Sequence, residues 1–244
     1  MSPRRTLATA GRVLKQLSHD RRALALIFLV PPILLIILKY VFQSSPQTFD
    51  SIAPMLLGIF PLVMMFLITS ITTMRERTGG TLDRLLTTKI SKFDFIMGYA
   101  LAFSAVALVQ ATLASIVLLG ILGVTVLGGT LAVLVSAVLA AFLGTSLGLF
   151  VSAFATSEFQ AIQFMPAFIF PQFLTCGLLV PREDMAKLLQ WFSDIMPLTY
   201  SVDAMKQVTF QAGWGSYLIR DLLVVAGFGI AALLLGALTI RRQE

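Results

Sequence analysis

The chain has 244 residues, of which 57% are hydrophobic and only 12% charged, with a mean hydropathy of +0.90. A water-facing domain carries about 25% charged residues, so lipid is the expected solvent for much of this surface, and the same composition excludes intrinsic disorder. One cysteine excludes a disulfide framework within the chain, one histidine leaves little for His-based metal or proton-transfer chemistry, and a net charge of +6 suggests nucleic acid only until the charges are located.

Residues 3–22 place Leu7, Ala10, Gly11, Leu14 and Leu17 at helical spacing, with Arg4, Arg5, Arg12 and Lys15 on other faces. This predicts a basic amphipathic helix along an anionic inner leaflet, acting as an anchor or as a contact for a cytoplasmic partner. A basic stretch before an apolar one also suggests a secretory signal. No A-x-A-like site follows Leu38, however, and five further apolar runs come after it, so the segment reads as a retained first helix.

Six runs approach the roughly 20 residues needed to cross about 30 Å of hydrocarbon. They cover 23–42, 54–74, 95–122, 131–154, 159–180 and 217–240. The first contains Pro31, Pro32 and Lys39, and the fifth contains Pro166 and Pro171. Thirteen of the 18 Lys and Arg fall before the first run, between the second and third, or after the last. The loops 43–53 and 123–130 hold none. The positive-inside rule then places both termini in the cytoplasm, explains the basic charge and removes the case for nucleic acid.

Between the second and third runs lies RERTGGTLDRLLTTKISK, residues 75–92. Gly79 and Gly80 interrupt any helix continuing from the second run. Thr81 is positioned to cap a new short helix with Leu82, Leu85 and Leu86 on one side and Asp83 in its first turn. Such a helix suits docking against another protein, although a plain charged loop fits the same residues. The polar segment 181–216 spaces Met185, Leu188, Leu189 and Phe192, then Leu198, Val202 and Met205, as two short amphipathic helices beside Trp191 and Trp214. They would lie in the outer interface, dip into the bilayer, or form a structural cap.

These features in this order resemble the ABC-2 family of exporter permeases. Its drug-exporting branch carries a pattern like R-E-R-x-x-G-T-L-x-R-L-L-T-T-P. Arg75, Glu76, Arg77, Gly80, Thr81, Leu82, Arg84, Leu85, Leu86, Thr87 and Thr88 match it, and Lys89 stands where proline is usual. Gly177 to Pro181, Trp191 and Met196-Pro197-Leu198 resemble the stretch before the family's last helix. The resemblance implies an all-α membrane domain, 1–244, with an interfacial helix (1–22), spans one to five (23–180), an external re-entrant segment (181–216), and a sixth span with its tail (217–244). It also implies a dimer, with itself or a sister permease, bound to separate ABC ATPase subunits. The first-loop coupling segment, Arg75, Glu76, Arg77, Gly79, Gly80, Thr81, Leu82, Asp83 and Arg84, would meet those ATPases. The membrane would be a bacterial-type cytoplasmic one, prokaryotic in origin.

No lysine of this chain follows a glycine, so no G-x-x-x-x-G-K-[ST] phosphate loop is present. ATP and Mg would sit on the partner, and this chain would bind no cofactor and catalyse nothing by itself. Met64, Met65 and Phe66 in the second span, and Gln163, Phe164, Phe168 and Gln172 in the fifth, are candidates for a path taken by hydrophobic or amphipathic cargo such as drugs or lipids. Packing roles compete for each of them. An ion-coupled carrier needs intramembrane Asp, Glu or His, which the central parts of the spans lack. A structural membrane protein would leave the first-loop motif without purpose. Gly144 and Gly148 form a small-xxx-small pair suited to helix packing.

Overall fold

The chain folds as helices α1 (Pro3–His19), α2 (Arg21–Val41), α3 (Pro46–Thr78), α4 (Lys92–Ile116), α5 (Thr130–Ser152), α6 (Glu158–Thr175), α7 (Lys187–Asp194), α8 (Pro197–Phe210) and α9 (Ser216–Thr239). This computed structural model describes residues 3–79 and 92–239, and the regular structure among the described residues is all helical. A π-turn, Val117–Ile121, prolongs α4, and a 3-10 turn, Arg182–Asp184, precedes α7.

Helix ends have local causes. Asp20 caps α2 by accepting from the Ala23 N–H at 3.0 Å, and Ser157 caps α6 by accepting from the Gln160 N–H at 3.2 Å. Pro46 and Pro197 open α3 and α8, where a missing N–H costs nothing. Helix α3 stops at Thr78, immediately before Gly79.

Among the described residues, five helical segments are long and apolar enough to cross a membrane: α2, α3, Phe93–Ile121, α5 and α9. The run expected as the fifth of six spans differs. Its helix α6 stops at Thr175, residues 176–180 are not helical, and Glu158, Gln160, Gln163 and Gln172 dilute its apolar side chains.

Helix α5 is the centre of the bundle, packed between α3, α4 and α9. Lipid offers helices no hydrophobic incentive to associate, so close backbone approach has to supply the attraction. Gly144 and Gly148, one turn apart, provide it against α3. A Cβ on Gly144 would overlap the Leu62 carbonyl, and one on Gly148 would come within 2.6 Å of the Phe66 carbonyl oxygen. On the other side Gly229 of α9 accommodates the Phe142 ring, which a Cβ there would meet at 2.5 Å.

Pro31, one of the two prolines inside α2, is answered from a neighbouring helix. Pro31 has no N–H to offer the Ile27 carbonyl four residues earlier. Gln110 of α4 supplies the donor, its Nε2 lying 3.1 Å from that oxygen. This is how a membrane bundle re-satisfies a carbonyl that proline frees.

Helix α1 packs on the first turns of α4, where Gly98 leaves room for Thr9; a Cβ at Gly98 would lie 2.6 Å from the Thr9 Cβ. Its buried face is Thr6, Thr9, Ala10, Val13 and Leu17. Of the expected stripe, Ala10 and Leu17 are in it, while Leu7 is 64% exposed and Leu14 and Gly11 also point away. The narrow groove at Gly98 selects short side chains, so two threonines replace leucines in the contact.

Both short helices anticipated in 181–216 are present as α7 and α8. Helix α8 is buried against α3, α5 and α9; Ser201 Oγ donates to the Gly58 carbonyl of α3 at 3.0 Å. The Gly128 N–H closes the end of α8 by donating to the Val208 carbonyl at 2.8 Å. Helix α7 leaves Leu188 and Trp191 exposed.

Candidate functional site

Arg75, Glu76 and Arg77 are consecutive in the last turn of α3, so their side chains leave the helix about 100° apart. Each reaches a different element. The Arg75 guanidinium donates through Nε and Nη2, both at 2.7 Å, to the two carboxylate oxygens of Glu158 at the start of α6. This pair is exposed to solvent. Arg77 donates through Nη1 to the Ser152 carbonyl at the end of α5. A cation there suits the negative end of the helix dipole.

Glu76 turns inward and is only 5% exposed. Its Oε1 accepts from Gln16 Nε2 at 2.8 Å, and its Oε2 accepts from Arg12 Nη1 at 3.4 Å, both donors belonging to α1. Arg12 Nη2 also donates to the Tyr99 hydroxyl at 2.9 Å. Tyr99 is fully buried on α4, with its ring centroid 4.4 Å from that of Phe95. A carboxylate removed from water needs such partners to offset its lost hydration. A second tie between α1 and α4 joins the buried pair Thr6 and Asp94, with Thr6 Oγ1 donating to Asp94 Oδ1 at 3.3 Å. The last turn of α3 is thereby fastened to α1, α5 and α6, and through Arg12 to α4, directly before residues 80–91.

Of the residues predicted to couple to an ATPase, Arg75, Glu76, Arg77 and Gly79 sit at this junction. Gly80, Thr81, Leu82, Asp83 and Arg84, and the short helix expected to start at Thr81, lie outside the described residues. The partners Arg12, Gln16 and Tyr99 escaped the sequence reading. Arg12 and Glu76 are 64 positions apart, and no local periodicity links them.

The residues named for a substrate path divide into two groups. Met65 and Phe66 are fully buried: Met65 in the cluster formed with α1 and α4, Phe66 against Gly148. Met64 is half-buried. On α6, Gln163 and Phe168 are exposed, and Phe164 is half-buried with its ring edge-on to Phe168. Gln172 is buried and holds the start of α8. Its Oε1 accepts from the Leu198 N–H at 3.2 Å, while its Nε2 donates to the Phe168 carbonyl at 2.8 Å. Gln172→Leu strands that N–H, one of the first of its helix, and is expected to lower stability by about 1–3 kcal/mol in detergent unfolding measurements.

At the opposite end of the bundle, Arg182 joins Asp194 of α7 to Asp203 of α8, the latter at 3.0 Å. Asp221 of α9 is fully buried, accepting from Gln207 Nε2 at 2.5 Å and from Arg220 at 2.8 and 2.9 Å. Burial pushes the Asp203 carboxyl above its usual range; Arg182 pulls it down and the Asp221 charge pushes it up again. A raised folded-state value means that the neutral carboxyl favours folding. That contribution is fully present below the unfolded value of about 3.9 and is lost as pH rises through the folded one. The melting temperature of the native chain relative to Asp203→Asn is therefore expected to rise as a detergent sample is acidified from neutral towards about pH 4.

Among the described residues no cluster of His, Cys, Asp and Glu is arranged to hold a metal ion. The contacts of the junction among the described residues are hydrogen bonds and ion pairs between helices.

The profile of the ABC-2 type transporter family matches residues 4–210. ABC transporter G family member 20 of Dictyostelium discoideum is 30% identical over 166 residues, covering 68% of this chain and 23% of its own length. The probable multidrug ABC transporter permease YbhR of Escherichia coli strain K12 is 29% identical over 161 residues, or 64% of this chain and 43% of its own length. The inner membrane transport permease YhhJ of the same strain is 27% identical over 177 residues, or 70% and 47%. The chain thus spans less than half the length of these relatives.

Proposed function

Because the chain belongs to the ABC-2 type transporter family, we propose that it is the membrane-spanning permease of an ATP-driven exporter, powered by a separate ABC ATPase subunit. The cargo is hydrophobic or amphipathic, of the drug or lipid kind. The relatives named as multidrug or transport permeases support this, as do the apolar faces that α2, α6 and α9 leave exposed. In this reading α6 completes a six-span bundle, and α7 and α8 form a re-entrant cap on the outer side. The N-terminal end of α2 and residues 80–91 face the cytoplasm, with α1 lying in the inner interface of a cytoplasmic membrane. A second copy or a sister permease completes the pathway, and ATP with Mg is bound by the partner.

The observation that carries the reading is the three-way fastening of Arg75, Glu76 and Arg77. A push delivered to residues 80–91 would reach α1, α5 and α6 through groups within hydrogen-bonding reach of one turn of α3, and α4 through Arg12. Its test is to purify the tagged chain in mild detergent, identify what accompanies it, and reconstitute the complex. A co-purifying P-loop ATPase whose turnover drives cargo export is the expected result. Reproducible absence of such a subunit, together with uptake driven by an ion gradient, would replace the exporter with a secondary carrier.

A further inference from the structure

A cavity of about 590 Å³ opens at the end of the bundle opposite the Arg75–Arg77 junction, where α2 ends, α3 begins and the π-turn closes α4. Its volume is in the range of small-ligand sites. Ile36, Phe49 and Leu122 supply apolar wall, and Phe49 is buried. Lys39, Tyr40 and Asp50 line the same space and are exposed to it. Ile36, Lys39 and Tyr40 share one face of α2 by their i, i+3, i+4 spacing, so an apolar contact and a cation point the same way.

The charges decide the occupant. Lys39 Nζ donates to the Leu122 carbonyl at 2.7 Å, a group left over at the end of α4. An ammonium has three donors, so two remain for the cavity, and no carboxylate among the described residues forms an ion pair with it. Asp50 lines the same cavity and pairs with no cation among the described residues. Two opposite charges at one mouth that do not satisfy each other complement a ligand carrying both signs a few ångströms apart. The mouth lies where the candidate spans α2 and α3 end and begin, and Tyr40, 71% exposed, is a residue type that favours headgroup depth.

We propose that this cavity holds the headgroup of one zwitterionic, amine-bearing phospholipid from the leaflet at that end. The phosphate lies on Lys39 and the primary ammonium on Asp50, and an acyl chain runs along Ile36. The site needs the membrane and not the ATPase, so it stands or falls separately from the exporter reading. A primary ammonium donates hydrogen bonds to Asp50 that a trimethylammonium cannot, which sets phosphatidylethanolamine above phosphatidylcholine. An anionic glycerol headgroup would meet Asp50 unfavourably.

The test is native mass spectrometry of the full chain in detergent with phosphatidylethanolamine, phosphatidylcholine and phosphatidylglycerol of matched acyl chains. One phosphatidylethanolamine is expected to be retained per chain in preference to the other two, a comparison that needs no variant. Lys39→Met and Asp50→Asn are expected to reduce retention about two- to five-fold, the range of a partly exposed ion pair, while Lys39→Arg preserves it. Equal retention of the three lipids, preference for phosphatidylglycerol, or unchanged retention in both loss-of-charge variants would overturn the proposal. So would displacement by glycerophosphoethanolamine at the same concentration as the lipid, since that would make the ligand a soluble headgroup and not a membrane lipid.

Discussion

Gly144→Val is expected to remove the folded chain from detergent extracts, while Gly227→Ala is expected to leave it unchanged. The first glycine faces the α3 backbone so closely that a Cβ would overlap the Leu62 carbonyl; the second has no atom within 4 Å of where its Cβ would be. A side chain can turn aside, but a carbonyl in the middle of a helix cannot. The added atoms must therefore push α5 and α3 apart. Overpacking costs about 1–3 kcal/mol even where side chains can adjust, and a β-branched residue against backbone belongs at or above the upper end. A loss of that size is a large part of the about 5–15 kcal/mol that holds a typical domain together. Gly148→Ala, meeting the Phe66 carbonyl oxygen at 2.6 Å, is expected to fall between the two. Melting temperature and monodispersity on gel filtration provide the measurement. A native-like Gly144→Val protein would show that the α3–α5 contact is looser than its geometry.

That contact was legible in the sequence because Gly144 and Gly148 share a helix face by their spacing alone. The spans were legible for the same kind of reason: length and apolar content are local properties. The run 159–180 is less clear-cut by that measure, since its helix ends at Thr175. Apolar residues are frequent enough to draw attention, yet Gln163 and Gln172 belong to the same stretch, and Gln172 is there to satisfy the Leu198 N–H of another helix. The Gln110 bond to the Ile27 carbonyl is equally invisible beforehand, since it depends on which helix settles beside Pro31. The protein-facing side of α1 could not be read from hydrophobicity, which picks out Leu7 and Leu14, because the groove at Gly98 rewards short side chains. At the junction, the motif residues could be singled out from the sequence, but their long-range partners could not.

Glu76→Lys is expected to release α1 from the bundle and, in the reconstituted complex, to weaken the link between ATP turnover and transport. The substitution puts an ammonium against Arg12 in a position only 5% exposed, and it strands Gln16 and the bond that orients the Arg12–Tyr99 contact. Removing one partner of a buried ion pair costs about 3–5 kcal/mol; because a third of the Arg12 side chain remains in water, about 3 kcal/mol is the expected figure. Arg12→Glu should produce a similar loss. Combining Arg12→Glu with Glu76→Arg restores opposite charges and should recover part of it, though not the hydrogen bonds to Tyr99 and Gln16. Arg75→Ala is the contrasting case, because its partner Glu158 is exposed and such pairs contribute about 0–1 kcal/mol. Limited trypsin digestion at Arg4, Arg5 and Lys15 reads the seating of α1 directly, and ATP-driven export reads the coupling. If Glu76→Lys uncouples the complex while α1 stays protected, the carboxylate acts on the ATPase itself and the fastening account fails. If α1 loosens and coupling falls in proportion across Glu76→Lys, Arg12→Glu and the double exchange, the force passes through α1.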